Sequence, residues 1–335
     1  YIPATFVIDK SGVIAWIGPP DQQLDSVLAR VVAGTYDVTQ ARKLAGIDKR
    51  VEQAAALGEW ERVIKLTDEA LAVEPGSVDR WISKFHINLH YLDRPKRAIE
   101  AARQALTHAQ ETPAILAEIA VQLITDDDVY KCNEMALGFL TDALKASPDM
   151  AELRVAYFQA LCALGKISEA KTVAMETIER MKADGGKLNA FARLLATPER
   201  RKAWTDVAMR AIDLAILVEP DEASHYLTKF TILSECKNDV PGARKVGLKL
   251  VETAGGNADL LNAFAWNLLA NPTSQGKFDN VALAAAEKMI KAPGGGGWSQ
   301  LETLALANFA TGDVEDAIKI QKRAMAECTN DLAKS

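Results

Sequence analysis

The chain has 335 residues and a net charge of −6 at neutral pH. Lysine and arginine are scattered rather than gathered into a stripe, which argues against nucleic acid as a partner, and no apolar run reaches the ~18 residues of a membrane span. Hydrophobic residues make up 49% and aromatics 6%, with alanine and leucine dominant, a balance that favours packed helices over a β-sandwich.

The first element follows Tyr1-Ile2-Pro3. An apolar run, Phe6-Val7-Ile8, ends in Asp9; Lys10-Ser11-Gly12 makes a turn; a second run extends from Val13 to Gly18. Two such runs joined by a short turn ending in glycine predict a β-hairpin. Leu24, Val27, Leu28, Val31 and Val32 then recur at helical spacing. This order of strand, strand and helix, with its Ile-Pro-Ala-Thr-Phe segment, resembles the second half of a thioredoxin fold, as in the TlpA-like thiol-disulfide oxidoreductases and related redoxins. The resemblance implies that Pro3 is a cis-proline of the kind that sits beside a redox dithiol. It also implies an extracytoplasmic (periplasmic or secreted) bacterial protein. The half of that fold that carries the Cys-x-x-C pair has no counterpart in the sequence. Residues 1–36 are therefore expected to be a partial thioredoxin-like β-β-α unit without the dithiol. Cut before Pro3, such a sheet leaves the edge at residues 4–9 open. Packing on the helices after Asp37, contact with another chain in a homo-oligomer, or derivation from a longer protein would each account for that edge.

From residue 37 to 335 the pattern reads as helix, turn, helix. Gly58-Glu59-Trp60, Asp93-Arg94-Pro95, Gly165-Lys166-Ile167 and Gly312-Asp313-Val314 open helices, whereas Glu74-Pro75, Ser147-Pro148 and Glu219-Pro220 close them. Proline cannot continue the hydrogen-bond ladder and glycine tolerates left-handed geometry. Small residues recur within the second helices: Ala98, Ala102 and Ala105; Ala136 and Ala143; Ala208 and Ala215; Ala317 and Ala324. They let helices approach closely. This is the signature of tetratricopeptide repeats, whose ideal period is about 34 residues. The final unit, from Trp298 through Gly312 to Ala324, resembles one along its whole length. Roughly seven helix pairs are expected between about residue 38 and residue 329. The fold class is thus mainly α, a tetratricopeptide-like right-handed α-solenoid whose concave groove takes a protein or peptide partner.

Chemistry-bearing residues are sparse. Lys84 and Asn88 lie four apart on a helix predicted from Trp81 to Tyr91, one face of which points to the groove; Asn262 and Asn267 are further groove candidates. Some tetratricopeptide proteins grip a terminal carboxylate with lysine and asparagine at the Lys84–Asn88 spacing, but the segment Ala114 to Ile124 lacks the remaining members of such a clamp. His86 and His90 share a face with Asp93 nearby, yet Ile87 stands where a zinc-protease helix has glutamate. No metal and no cofactor is expected. Asp126-Asp127-Asp128 lacks the spacing of a calcium loop, and Pro293 followed by four glycines lacks the lysine of a phosphate loop and reads as a flexible connection. Cys132, Cys162, Cys236 and Cys328 form no Cys-x-x-C pair, and the five tryptophans from Trp60 to Trp298 read mostly as core. The chain itself is read as an interaction module rather than an enzyme. The alternative is a fragment of a thiol-disulfide oxidoreductase whose Cys-x-x-C lies upstream of residue 1.

Overall fold

Asp37 ends the first segment and starts the first long helix. Its carboxylate accepts hydrogen bonds from the Thr39 (2.8 Å) and Gln40 (3.0 Å) backbone N–H groups, which would otherwise have no partner in the first turn. The computed structural model describes residues 5–18, 22–124, 131–198 and 200–332; Pro3 and Asp126-Asp127-Asp128 lie outside them. Before Asp37 the expected order is present: β1 (Thr5–Ile8), β2 (Ile14–Gly18) and α1 (Gln22–Ala33). The strands are antiparallel, with Phe6 opposite Ile17 and Val7 opposite Trp16, and a bulge falls between Val7 and Ile8. The turn is held by Asp9, whose Oδ1 accepts from the Ser11 N–H (2.8 Å) and hydroxyl (2.6 Å) and from the Val13 N–H (3.0 Å). Val7 and Ala15 are buried, whereas Phe6, Ile8, Ile14 and Ile17 stand exposed on the other face.

The chain divides into two compact units, Tyr1–Ala170 and Lys171–Ser335. In unit 1 the helices are α2 (Val38–Ala56), α3 (Trp60–Val73), α4 (Val78–His86), α5 (Pro95–Ala109), α6 (Pro113–Leu123), α7 (Cys132–Ala146) and α8 (Ala151–Ala163); α9 (Ile167–Met181) contains the boundary. Unit 2 continues with α10 (Gly185–Leu195), α11 (Arg201–Val218), α12 (Ala223–Thr231), α13 (Val240–Thr253), α14 (Ala258–Ala270), α15 (Asp279–Lys291), α16 (Trp298–Thr311) and α17 (Val314–Leu332). Within units the helices pack as successive hairpins: α2 on α3, α4 on α5, α6 on α7, then α10 on α11, α12 on α13, α14 on α15 and α16 on α17. Within each unit a hairpin also touches the next, α5 against α6 and α15 against α16 for example. Each unit is thus a tetratricopeptide-like stack in a mainly α protein.

Packing follows the small-residue spacing. Ala98, Ala102, Ala105 and Ala136 are fully buried in unit 1 around Leu116, Leu123 and Leu140. Each such leucine contributes about 1.5–3 kcal/mol by leaving water. In unit 2 the core gathers Phe230, Phe264 and Phe278 with Ala243, Ala265 and Ala285. Trp204 is buried as expected, but Trp266 and Trp298 are exposed.

The proline turns have a use beyond stopping helices. The Pro75 carbonyl accepts from Trp81 Nε1 (2.8 Å), that of Pro148 from Arg154 Nε (2.6 Å) and that of Pro220 from the Tyr226 hydroxyl (2.8 Å). In each case a side chain six residues on latches the turn to the following helix. The glycine-rich link before α16 differs from expectation. A Cβ on Gly295 would lie 1.7 Å from the Met289 carbonyl oxygen and 3.0 Å from that of Ala292. This is close backbone packing rather than a slack tether. Gly295→Ala is expected to destabilise unit 2 by about 3 kcal/mol, read as a lower urea midpoint at unchanged slope.

A cavity lined by Lys84 and Asn88

The helix expected from Trp81 to Tyr91 does not keep α geometry to its end. It turns α-helical over α4 and π-helical over Ile87–Tyr91. The Leu92 N–H reaches the Ile87 carbonyl (3.1 Å) and the Arg94 N–H the Asn88 carbonyl (2.7 Å), with Asp93 left-handed at φ 49°. The widened turn holds one surplus residue, and such turns are frequent at functional sites. Here it directs Asn88 inward: the residue is 0% exposed.

Asn88 lies on a cavity of about 290 Å³ whose lining includes Ile64, Trp81, Lys84 and Ala101. α3 supplies Ile64 and Asp68, α4 supplies Trp81 and Lys84, and α5 supplies Arg97, Glu100 and Ala101. Asn88 Nδ2 donates to the Lys84 carbonyl (2.8 Å). Its Oδ1 has no hydrogen-bond partner, which costs about 1–3 kcal/mol for a buried acceptor. Lys84 is ion-paired with Asp68 and its ammonium stands 5.0 Å over the Trp81 ring. Arg97 and Glu100 stand at the exposed rim. The lining carries two cations and two carboxylates, so its charge is balanced. What it lacks is a donor for Asn88 Oδ1.

The remaining candidates are placed as follows. Asn262, on α14, accepts from the Thr303 hydroxyl (2.7 Å) and so ties α14 to α16; Asn267 is exposed on α14. The imidazoles of His86 and His90 stack with centroids 5.7 Å apart. Burial, and then the neighbouring His90, lower the pKa of His86. Among the described residues no group of three or more His, Cys, Asp or Glu side chains converges as a metal site would require. The four cysteines are thiols.

Asp68 and Arg97 were not singled out from sequence, although a signal for the framework exists. Unit 2 repeats it with a displacement of 145 positions (75 to 220, 84 to 229): Glu74-Pro75 and Glu219-Pro220, Trp81 and Tyr226, Lys84-Phe85 and Lys229-Phe230, Ile87 and Ile232. The geometry repeats too. A second π-turn spans Ile232–Cys236, Asn238 is left-handed at φ 53°, the Asp239 N–H meets the Leu233 carbonyl (2.8 Å), and Lys229 pairs with Asp213 (2.7 Å). At the place of Asn88 unit 2 has Leu233. The π-turn therefore does not itself require a polar residue there.

No protein-family model matches the chain, and no curated protein does. Among solved structures it is similar to yeast Tom70, at 10% identity over 85% of this chain and 78% of that one, with a TM-score of 0.31. It is also similar to a chain in the structure of Naa15/Naa10 bound to HypK-THB, at 14% identity over 90% of this chain and 62% of that one, with a TM-score of 0.28. Scores this low leave the class of protein to the helix pairing: a tetratricopeptide-like helical-repeat protein.

Proposed function

We propose that the chain is a scaffold that holds a segment of a partner protein, and that the cavity around Asn88 receives a peptide group of that segment. The observation that carries this is the orphan Asn88 Oδ1. A peptide group offers an N–H to that oxygen, which is covered in the free chain and is uncovered on binding, and a carbonyl to the Lys84 or Arg97 side chains. Being neutral, it suits a lining whose charges already cancel. A terminal carboxylate is less suited, because Lys84 already has Asp68 as its counter-ion and Asn88 offers an acceptor. Peptides selected from a random phage-displayed library on the whole chain test the proposal. Wild-type binders are expected to lose at least tenfold in affinity for Asn88→Leu; binders indifferent to that change would refute it.

The second reading is that residues 1–36 belong to a redox domain of a longer thioredoxin-like protein. It is favoured by the order β1, β2, α1, and residues 37–335 would then position substrates for it. As it stands the chain holds no Cys-x-x-C spacing and is expected to give no insulin reduction above the dithiothreitol background. Cysteine-dependent turnover by this chain would contradict that expectation.

A further inference from the structure

The last helix of unit 2 has two faces of different use. Ala317 and Ala324 are buried on the side that packs on α16. Val314 (46%), Ile318 (52%) and Met325 (63%) are exposed along another side. With Gln321 and Cys328 they recur at alternating intervals of four and three residues, the a/d spacing of a two-helix coiled-coil seam. Beside the seam, a hollow of about 420 Å³ is walled by Trp266, Leu306, Phe309 and Ile318, so the apolar surface is broader than a stripe.

We infer that α17 is a homodimerisation helix that pairs antiparallel with α17 of a second copy. The charges beside the seam choose the occupant. Glu315 and Lys322 each directly follow a seam residue, Val314 and Gln321 respectively, so they share one flank. Neither is in an ion pair among the described residues. In an antiparallel pair, residues of the same flank face each other. Glu315 then meets Lys322 of the partner subunit, and the two-fold axis repeats the contact. Val314 then packs across the seam near Met325 of the partner subunit, and Ile318 lies close to the two-fold axis beside Gln321 of the partner subunit. The inference is independent of the cavity at Asn88, which lies in unit 1.

Light scattering coupled to size exclusion, with the whole chain loaded from about 1 to 200 µM, reads the mass as a function of concentration. A dimer that dissociates on dilution is expected. Ile318→Glu should raise its dissociation constant by about 100-fold, while the thermal melt recorded at a concentration where both proteins are monomeric stays unchanged, since the side chain is exposed. Glu315→Lys and Lys322→Glu should each weaken the dimer by about tenfold, and the double exchange should restore it to within about threefold. A monomer at every concentration, or a dimer indifferent to Ile318→Glu, would overturn the inference. So would a double exchange no better than the single ones, because the antiparallel register would then be wrong.

Discussion

Replacing Phe230 by alanine is expected to cost unit 2 about 3–5 kcal/mol. The ring is 6% exposed and meets two others edge-on: Phe264 at 5.1 Å and Phe278 at 5.0 Å between centroids. These three come from α12, α14 and the start of α15, so a single side chain joins three helices. The site has little means of collapse. Gly247 on α13 already approaches so closely that a Cβ there would lie 3.2 Å from the Phe230 ring and 2.8 Å from Val281 Cγ1. The cavity left by truncation therefore stays open, and its full cost is felt. Urea unfolding followed through Trp204, Trp266 and Trp298 should show a large fall in midpoint at constant slope. The comparison variant Phe309→Ala, at a side chain 61% exposed, should shift stability by no more than about 0.5 kcal/mol. A small effect at Phe230 would mean that neighbouring helices close the gap, contrary to the packing described above.

Asn88→Leu is expected to raise the stability of the chain while it weakens segment binding at least tenfold. Most substitutions at a fully buried residue destabilise, so the predicted sign is diagnostic. The argument has two parts. Removing the orphan acceptor relieves a desolvation penalty of about 1–3 kcal/mol, offset by loss of the Nδ2 bond to the Lys84 carbonyl at about 1 kcal/mol. Unit 2 already accommodates leucine at the equivalent place, Leu233, in the same π-turn, so the backbone accepts the shape. A net gain of about 1 kcal/mol follows. The reciprocal change, Leu233→Asn, should cost about 2–3 kcal/mol because it buries an amide with no site prepared for it. If Asn88→Leu instead destabilised the chain strongly, Asn88 would be a structural residue, and the peptide-binding proposal would lose its main support.

The helix pairs were legible in the sequence because their cause is local. Ala98, Ala102 and Ala105 mark a buried face by spacing alone, and Pro75, Pro148 and Pro220 end helices for a steric reason that needs no tertiary context. The strand pairing of β1 with β2 was legible for the same reason. What escaped depends on contacts far along the chain or on a single surplus residue. Lys84 and Asn88 were recognisable as neighbours on one helix face. Their different fates were not, since Asp68, which takes up Lys84, lies on another helix. The π-turns shift periodicity by one position inside a short apolar stretch, too little to register against helical spacing. Gly295 looked like slack because glycine serves both for freedom and for close approach, and composition does not tell the two apart. Trp266 and Trp298 looked like core for a related reason: size predicts burial only where a neighbouring layer exists to cover the ring.

The paired π-turns have a consequence for how this chain tolerates change in length. A π-turn is an α-helical turn with one residue too many, so each of the two segments, Ile87–Tyr91 and Ile232–Cys236, stores a spare position inside an otherwise regular element. Dropping one residue elsewhere in a helix rotates everything downstream by about 100° and tears its apolar face from its neighbours. Dropping one here returns the backbone to ordinary α pitch. In a library of single-codon deletions, these two spots should survive while the flanking helices do not, and the π-turn in unit 2, with leucine rather than asparagine at its heart, should survive with the least consequence for what the protein binds.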